Sequence, residues 1–589
     1  MQTLEDPFYY LANFEHVLEW LRARYPDLLS SDELAFIDEF LQVPRSSRAL
    51  LVRMVMRKGT RFRVGKLNYP EIGPASKAVK PLVEKGWVAA DPVLELAQLF
   101  SLFTKPELVK AFAGIVDRPN AAKSELFQQV GEQDAGPYRL SQWWPDAGDT
   151  VFELTIMEMS ERFRLMFFGN LRQTWSEFVL ADLGLYRFET VEFSPASRAF
   201  QCRGEVDEYL HLYQCREQLE AFRGQAENEP GALEQVLERI PTEASENAWL
   251  EARRARLLYQ AAYHCEQCGE LERALELYGL CSHAEARVRR IRVLERLGDL
   301  EAALSLAREA RLSPCDAAES QHIARILPRL HRKLGLPGLP RHVQAPVERV
   351  DLVLPRPVTP MDADTPVGVE LAVLGYLNQS ESPVWYVENT LINALFGLLC
   401  WDIIFAPVPG AFFHRFHSGP ADLLRPDFVP RRAGRFEQQL ALLDTGAYKN
   451  AIREKYAAKF GLQSPFVHWH GLTETLLEQA LACLPAAHLR AWFERLLEDI
   501  KANRAGMPDL IRFWPAERRY QMIEVKGPGD RLQDNQLRWL AFCAEHDMPV
   551  QVCYVQWEEE AAGANASPYE EPGQRSSPLK RRLPDGQTP

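Results

Sequence analysis

The sequence lacks the features that mark membrane and secreted proteins. Its 589 residues contain no run of about eighteen apolar residues, which argues against a transmembrane helix. The first residues, Met1–Asp6, are acidic and offer no basic stretch followed by an apolar one, so no secretion signal is expected. The ten cysteines are scattered without the spacing of a disulfide framework. We therefore expect a cytoplasmic protein with free thiols.

Negative charge predominates overall, but it is unevenly distributed. A formal net charge of −13 argues mildly against nucleic acid as a partner. From Arg45 to Lys66, however, the chain has eight Arg or Lys and no Asp or Glu. Clustered cations with aromatic residues nearby are typical of surfaces that bind a nucleic acid backbone, although a solvated basic helix face has the same composition. The candidate backbone contacts in this segment are Arg57, Lys58 and Arg61.

The chain is too long for a single hydrophobic core and should form several, mostly helical domains. An amphipathic stretch at Leu50–Arg57 with a cationic flank is typical of helical or winged-helix DNA-binding units. Thr104, with Glu107 three residues on, is a candidate N-cap within a short helical pair that resembles SAP domains. The predicted segments are 1–88 (helical or winged-helix-like DNA-binding region), 89–130 (SAP-like helical pair), 131–245 (mostly helical, with strand-like runs at Thr150–Ile156 and Phe188–Phe193), 246–336 (helical repeats), 337–360 (Pro-rich linker), 361–557 (α/β domain) and 558–589 (disordered tail).

Two similar segments in the middle of the chain predict stacked helical pairs. The residues from Gly269 onward recur from Gly298, offset by 29 residues, and a helical pattern precedes each copy. Ala274 and Ala303 occupy equivalent positions, where a small side chain lets paired helices approach closely. The pattern resembles tetratricopeptide repeats, which serve as partner-binding scaffolds or as simple spacers. The cysteines and histidines of 264–268 and 281–283 could instead form a zinc site, but Cys265 falls within a predicted helix, where cysteine packs as a small apolar residue.

A short segment near the C-terminal end carries the pattern of a metal-dependent phosphodiesterase. Leu510–Trp514 and Tyr520–Val525 are rich in β-branched and aromatic residues and predict two strands joined by a turn. Because side chains alternate along a strand, Glu524 and Lys526 share a face, and the hairpin can bring Asp509 to the same end. Carboxylates are preferred ligands of Mg²⁺ and Mn²⁺, and an ammonium can orient or deprotonate water and stabilise charge on phosphorus. A surface hairpin with solvated charges is the simpler alternative.

A third carboxylate is expected, because two acidic ligands rarely suffice for a hydrolytic metal ion. Residues 385–399 have helical periodicity, and Glu388 falls on their apolar stripe. Burying a charge there is unfavourable unless the carboxylate is paired or bound to metal. Alternatively, Glu388 could be a helix-terminal residue that faces solvent or the positive end of the helix dipole.

Basic and amide side chains around this motif are candidates for DNA contacts. Lys501 and Arg504 precede Asp509 and can reach phosphates that flank a scissile bond. Arg531 follows a Gly-Pro-Gly turn, and Gln536 lies on the apolar face of a helix predicted over residues 533–545, where its amide can point toward the site. A closing strand over residues 549–556 completes an α/β core of the restriction-endonuclease, or PD-(D/E)xK, type.

Several motifs are similar to those of the Fanconi-associated nuclease family, whose catalytic module is the VRR-NUC domain. These motifs are Phe396-Gly397-Leu398-Leu399-Cys400-Trp401-Asp402-Ile403-Ile404-Phe405, Gly506-Met507-Pro508-Asp509, Glu524-Val525-Lys526-Gly527-Pro528, Asp530-Arg531-Leu532, Arg57-Lys58-Gly59 and Tyr69-Pro70-Glu71-Ile72. The long N-terminal extension and the zinc finger of animal members are missing. A bacterial homologue, nucleoid-associated when on DNA, is therefore expected.

The resemblance implies roles for individual residues. Glu388, Asp509 and Glu524, with the Val525 carbonyl, would hold Mn²⁺ or Mg²⁺, and Lys526 would be the catalytic lysine. It also implies a 5′-flap endonuclease with 5′-to-3′ exonuclease activity, acting in interstrand-crosslink repair. The implied partners are branched DNA molecules, including 5′-flap, splayed-arm and crosslinked DNA.

Animal members of the family also bind a 5′-terminal phosphate in a basic pocket. Lys501 can replace one arginine of that pocket, whereas Asn535 stands where a lysine is expected. We predict a structure-specific DNA nuclease that binds no membrane. The alternatives are a Holliday-junction resolvase, which generally acts as a symmetric dimer of a small catalytic domain, and a non-catalytic repeat scaffold with a decayed nuclease fold.

Overall fold

The computed structural model describes residues 6–558 apart from 117, 119, 134–135, 176–185, 194–196, 199, 225–230, 340–346 and 357–367. The chain divides into two compact units. Unit 1 comprises residues 1–341, 393–469 and 493–502, and unit 2 comprises residues 342–392, 470–492 and 503–589. The tail predicted to be disordered, 558–589, lies outside the described residues except for Glu558.

Helices predominate in the described residues, as predicted. The strands in chain order are β1 (Arg61–Arg63), β2 (Val88–Ala90), β3 (Val93–Leu94), β4 (Tyr138–Arg139), β5 (Val151–Leu154), β6 (Glu348–Leu354), β7 (Val384–Tyr386), β8 (Leu510–Trp514), β9 (Arg519–Lys526) and β10 (Val550–Trp557). The helices are Tyr9–Arg24, Ser31–Phe40, Arg45–Val55, Ala75–Ala78, Lys80–Glu84, Leu96–Leu102, Lys105–Ala111, Lys123–Gln133, Leu140–Trp143, Met157–Phe168, Arg203–Gly224, Ala232–Glu238, Ala248–Cys268, Leu271–Gly279, Ala286–Leu297, Leu300–Leu312, Ala317–Lys333, Val369–Leu377, Leu391–Leu399, Trp401–Ile404, Ala433–Leu440, Leu442–Thr445, Tyr448–Lys459, Glu474–Cys483, Ala486–Glu498, Ile500–Asn503 and Asp534–Glu545. Short 3-10 turns lie at Val64–Lys66, Pro430–Arg432 and Pro515–Glu517. Among the described helices, none has the length and apolar character needed to cross a membrane.

A small antiparallel sheet, ordered β1–β5–β2, belongs to the N-terminal part of unit 1. The amphipathic helix Arg45–Val55 buries Leu50 and Leu51 in a core shared with Phe62 of β1 and Phe152 of β5. The strand predicted around Thr150–Ile156 therefore exists, but its partners lie far upstream. The sheet therefore joins residues from both sides of the domain boundary that the sequence predicted at residue 88.

The other strand-like run, Phe188–Phe193, forms no strand in the part of the chain that is described, so that prediction is wrong. Its two phenylalanines pack singly instead, Phe188 against Phe416 and Phe193 against Trp20. Aromatic residues raise β-propensity only where a neighbouring strand is available, and here they serve as separate anchors in a helical core.

The short helical pair predicted after residue 89 consists of helices Leu96–Leu102 and Lys105–Ala111. Glu107 Oε2 accepts hydrogen bonds from the backbone N–H and the hydroxyl of Thr104, both at 2.7 Å. The predicted N-cap is therefore confirmed.

The two repeated segments form turns followed by helices, Leu271–Gly279 and Leu300–Leu312. Gly269 and Gly298 end the preceding helices at φ of 86° and 87°, a left-handed conformation that glycine adopts without strain. Ala274 and Ala303 are fully buried, so the helices do approach closely at these positions. Cys265 is buried in the apolar core around Ala274.

Unit 2 contains a five-stranded mixed sheet in the order β6–β10–β9–β8–β7. β10 runs parallel to β6 and β9, while β8 pairs antiparallel with both β9 and β7. β6 lies within residues 337–360, which the sequence predicted as linker, so that prediction needs correction. The prolines of this segment cluster on either side of residues 348–354, which leaves an uninterrupted run able to pair with β10.

Candidate active site

The β8–β9 hairpin brings the three residues of the predicted motif to one end of the unit 2 sheet. Leu510 lies opposite Ile523, so Asp509, at the entry to β8, reaches the strand position of Glu524. Ile523 and Val525 are buried in the apolar core on one face of β9. Because side chains alternate along a strand, Glu524 and Lys526 lie on the opposite face.

Two direct contacts link the motif residues. Oδ2 of Asp509 accepts a hydrogen bond from the backbone N–H of Val525 at 2.8 Å, and Nζ of Lys526 lies 2.8 Å from Oε1 of Glu524. The exposed fractions are 6% for Asp509, 0% for Glu524 and 8% for Lys526. Within the described residues, both oxygens of Glu524 are buried without a well-aligned hydrogen-bond donor, so the contact with Lys526 is an ion pair.

Burial makes the two carboxyl groups hard to ionise. It is the main cause that raises the pKa of Asp509 to about 6, with a further contribution from Glu388 that the Val525 N–H opposes. Burial, followed by repulsion from Asp509, raises the pKa of Glu524 to about 7, although Lys526 favours its charged form. At neutral pH the site therefore carries less negative charge than its number of carboxyl groups suggests. A bound cation would favour the ionised form of these groups.

Glu388 reaches this site by a route that the sequence did not predict. It does not lie on a helical stripe but in an exposed turn between β7 and helix Leu391–Leu399. The N–H of Val387 donates to the carbonyl of Asp509 at 2.8 Å, which continues the pairing of β7 with β8 and places Glu388 beside Asp509. Asn389, at φ of 51°, accepts the N–H of Met507 through Oδ1 at 3.0 Å. The predicted helix is confirmed over Leu391–Leu399 but does not extend back to residue 385, because residues 384–386 pair with β8 as strand β7.

Glu370 is a fourth carboxylate that sequence analysis missed. It lies in the first turn of helix Val369–Leu377, and its charge contributes to raising the pKa values of Asp509 and Tyr386. Tyr386 in turn donates its hydroxyl to Oε2 of Glu388. The available signal was that Glu370 is the single charged residue of an otherwise apolar helix.

The oxygen atoms at this site suit a hard divalent cation. Within the described residues, no three His, Cys, Asp or Glu side chains are already close enough to hold an ion as they stand. The buried oxygens of Glu524 nevertheless lack well-aligned hydrogen-bond donors, and one of them, Oε1, forms the ion pair with Lys526. Mg²⁺ and Mn²⁺ bind such oxygens, and a cation would offset the desolvation that raises both pKa values. Val525 lies between Glu524 and Lys526 along β9, and the role of its carbonyl as a ligand stays a prediction.

Three residues of unit 2 were predicted to contact DNA. Arg531 is exposed, and Arg504 is half-buried, which lowers the pKa of its guanidinium. Oε1 of Gln536 accepts the N–H of Gln533 at 2.8 Å and so caps helix Asp534–Glu545. This use of the amide oxygen differs from the predicted orientation toward the site, because the helix terminus supplies an unsatisfied donor closer by.

The loop before Asp509 packs closely against the same helix. Gly506 has a φ of 93°, and a Cβ atom there would lie 2.8 Å from Nδ2 of Asn535. Asn535, which stands where the resemblance predicts a lysine, therefore supports the loop that carries Asp509.

Lys501 lies exposed in helix Ile500–Asn503, near His283, which the sequence offered only as a zinc ligand, and Arg256, which sequence analysis did not single out. Burial is the main cause that lowers the pKa of His283, and the charges of Lys501 and Arg256 lower it further. Lys501 and Arg256 thus place two positive charges near His283, whose imidazole is held in its neutral form.

The acid-free run from Arg45 to Lys66 is less cationic in the folded chain than in the sequence. Acids from elsewhere pair with five of its eight cations: Arg45 with Asp6, Arg48 with Glu15, Arg53 with Glu71, Arg61 with Glu153, and Arg63 with Glu107 and Asp149. The Arg61 pair, at 2.7 Å, joins facing residues of β1 and β5, so the charge of Arg61 is already balanced by Glu153, and its role as a DNA contact stays a prediction. Arg57 and Lys58 are exposed, have no acidic partner among the described residues, and line a cleft of about 550 Å³.

Comparison with known proteins identifies the domains of this chain. Sequence models match the VRR-NUC domain over residues 444–557, the FAN1 HTH domain over residues 8–89, and the Fanconi anemia-associated nuclease SAP domain over residues 93–143. The chain is 23% identical over 603 residues to the Fanconi-associated nuclease 1 homolog of Arabidopsis thaliana, covering 93% of this chain and 67% of that protein. It is 32% identical over 192 residues to Fanconi-associated nuclease 1 of Homo sapiens, covering 32% of this chain and 19% of that protein.

A bacterial relative is similar over nearly the whole length. The Fanconi-associated nuclease 1 homolog of Pseudomonas aeruginosa is 55% identical over 555 residues, which cover 94% of this chain and 97% of that protein. The crystal structure of paFAN1 bound to 2-nt 5′-flap DNA with a gap superposes with a TM-score of 0.89, at 55% identity, and covers 95% of this chain and 100% of that one. Because the similarity extends over both chains almost completely, this protein is a nuclease and belongs to the Fanconi-associated nuclease family.

Proposed function

We propose that this nuclease is a metal-dependent 5′-flap endonuclease with 5′-to-3′ exonuclease activity that acts in the repair of interstrand crosslinks. The observation that carries the proposal is the buried convergence of Asp509, Glu524 and Lys526. Carboxyl groups with raised pKa values destabilise a metal-free fold at neutral pH, so such a cluster is typical of a functional site. The paFAN1 structures bound to 5′-flap DNA support branched DNA as the substrate.

We assign Mn²⁺ or Mg²⁺ to the oxygens of Glu388, Asp509, Glu524 and the Val525 carbonyl, with Glu370 close enough to contribute to the raised pKa of Asp509. When bound, the ion supplies Lewis-acid polarisation of a scissile phosphate. Carboxylate oxygens from separate elements give a site that forms only in the folded chain.

The chain's own residues have distinct tasks in this site. The Val525 N–H orients Asp509 by holding one of its two oxygens. The Lys526 ammonium can donate hydrogen bonds to an attacking water molecule and to phosphate oxygens, which stabilises the negative charge that develops on phosphorus. In the metal-free chain the pKa of Glu524 is about 7, so its carboxyl group can hold a proton near neutral pH, and metal binding would displace that proton. Burial strengthens each of these interactions by excluding bulk water.

Cleavage assays on three labelled substrates test this proposal: 5′-flap, splayed-arm and four-way-junction DNA, each with Mn²⁺, Mg²⁺ or EDTA. We expect cuts in the duplex near the 5′-flap that require the metal and that Asp509→Asn abolishes, while DNA binding persists. Glu517→Gln is the matched control, because it removes one negative charge from the exposed turn of the same hairpin, where Glu517 pairs with Arg519. Cleavage that resists EDTA would contradict metal dependence. Symmetric nicking of four-way junctions would favour a resolvase, and binding without cleavage would favour a scaffold.

A further inference from the structure

A cleft rich in arginine and aromatic residues lies in unit 1, along helices Arg203–Gly224 and Ala248–Cys268. We call it the arginine cleft and define it by Arg172, Arg216, Arg253, Tyr209 and Trp249. Its volume is about 440 Å³, and an adjoining hollow of about 710 Å³ shares Arg172, Trp249 and Arg253 with it. The cleft is separate from the residues assigned above to metal binding and catalysis.

Aromatic rings hold the central arginine of the cleft in place. The guanidinium carbon of Arg253 lies 4.3 Å from the ring centroid of Tyr209 and 4.5 Å from that of Trp249. Tyr209 is only 2% exposed, so its ring is a fixed part of the core. Contact of this kind uses the faces of the guanidinium group and leaves its N–H edges to bind acceptors. Among the described residues, the buried Nε of Arg253 has no hydrogen-bond acceptor.

The charges in the arginine cleft are not balanced within the described chain. Arg216 pairs with Glu217 and Glu220, at 2.8 and 3.5 Å, but neither Arg172 nor Arg253 has a carboxylate partner among the described residues. Burial lowers the pKa of Arg253, and repulsion from Arg172 and Arg216 lowers it further. The next residue, Arg254, donates two hydrogen bonds to the carboxylate of Glu251. Helix Ala248–Cys268 therefore supplies a carboxylate partner for Arg254, whereas Arg253 has none among the described residues.

We propose that the arginine cleft binds a phosphodiester group of the DNA substrate, with Arg172 and Arg253 as the donors. This inference rests on the proposed function and deepens it by adding a DNA contact that takes no part in the chemistry. A phosphodiester carries one negative charge and two non-bridging oxygens, which match the planar fork of a guanidinium. The half-buried Trp249, which lines the same cleft, is compatible with the adjoining sugar or base. Such a contact fixes position on the DNA without reading its sequence.

The salt dependence of DNA binding tests this proposal. All proteins in this assay carry Asp509→Asn, so that the 5′-flap DNA stays intact, and dissociation constants are measured by fluorescence anisotropy. One neutralised phosphate of duplex DNA contributes about 0.9 to the slope of log affinity against log salt. The double variant Arg172→Gln/Arg253→Gln, which loses the proposed phosphodiester contact, should therefore lose about 3.5-fold less affinity than its parent between about 50 and about 200 mM salt. Arg273→Gln is the matched control, because Arg273 is ion-paired with Glu276 and does not line the cleft. This control should leave the slope unchanged.

Two further measurements separate the proposed contact from other causes. Arg253→Lys keeps the charge, so its slope should stay near that of the parent; a slope as low as that of Arg253→Gln would indicate lost packing and overturn the proposal. The reduction in slope should be the same for substrates with a 5′-hydroxyl and with a 5′-phosphate. A reduction seen only with the 5′-phosphate would overturn the phosphodiester assignment. An unchanged slope in the double variant, while the Asp509→Asn parent binds and the native chain cleaves 5′-flap DNA, would overturn the cleft alone. Failure of the parent to bind and of the native chain to cleave would overturn both proposals.

Discussion

The raised pKa of Glu524 predicts that this carboxylate destabilises the metal-free protein at neutral pH. The pKa rises from 4.5 to about 7, mainly through burial, and a shift of one unit corresponds to about 1.4 kcal/mol. Between these two pKa values the folded state retains a proton that the unfolded state has released. Stability should therefore fall as pH rises through this window, to a level about 3 kcal/mol lower above it. Glu524→Gln cannot ionise and should not show this loss.

Hydrogen exchange of peptides from β8 and β9, measured in EDTA, reports this difference locally within the full chain. Variant and native proteins are compared at the same pH, because intrinsic exchange itself depends on pH. Glu524→Gln should be protected by about two orders of magnitude more than the native chain at about pH 8, but only severalfold more at about pH 5. Saturating Mg²⁺ or Mn²⁺ should increase protection in the native chain and have little effect in the variant, since ligand binding stabilises the state that binds it.

The matched control for this experiment is Glu517→Gln in the turn between the same two strands. Glu517 has an exposed side chain, so its neutralisation should leave protection unchanged at both pH values. Equal protection of Glu524→Gln and the native chain at about pH 8 would refute the reasoning, because it would mean that ionising Glu524 carries no desolvation penalty.

Two other predictions concern the loop before the site and the basic N-terminal segment. Gly506→Ala should lower the free energy of unfolding by about 1–3 kcal/mol and reduce flap cleavage, because it combines a φ of 93° with a Cβ atom 2.8 Å from Asn535; denaturation and cleavage rates check this, and an unchanged rate would contradict the role of the loop. Arg57→Gln and Lys58→Gln should each flatten the salt dependence of DNA binding by about 0.9, whereas Arg61→Gln should change it little, because Arg61 is already paired. An equal effect of all three substitutions in anisotropy titrations would contradict this distinction.

The parts of the site that depend on local pattern could be predicted from the sequence. The alternation of Ile523, Glu524, Val525 and Lys526 determines which side chains share a face, and the adjacent strands need only a short turn to pair. The hairpin and the closing strand β10 accordingly match their predictions. The roles assigned to individual ligands remain predictions.

The failures share a physical cause, which is pairing between distant parts of the chain. The sequence predicted that Glu388 lies on a helix, because its neighbours follow a 3.6-residue period. In the folded chain, residues 384–386 instead form β7, which pairs with β8. Arg61 was predicted as a DNA contact because no acid lies nearby in the sequence, but β5 brings Glu153 opposite Arg61 and balances its charge. A single sequence contains no signal for such encounters, since each segment is compatible with more than one partner.

The return of the chain to the N-terminal sheet has an evolutionary consequence. β2 and β5 are neighbouring strands, and the N–H of Asp91 donates to the carbonyl of Val151 at 2.9 Å. The segment between these strands therefore leaves the sheet and returns to it at neighbouring positions. Arg63 of β1 forms ion pairs with Glu107 and Asp149, which both belong to this segment. A segment whose two ends adjoin can be exchanged as a cassette without displacing the strands that flank it. Relatives could therefore lengthen, shorten or replace the SAP module while the rest of the architecture stays unaltered.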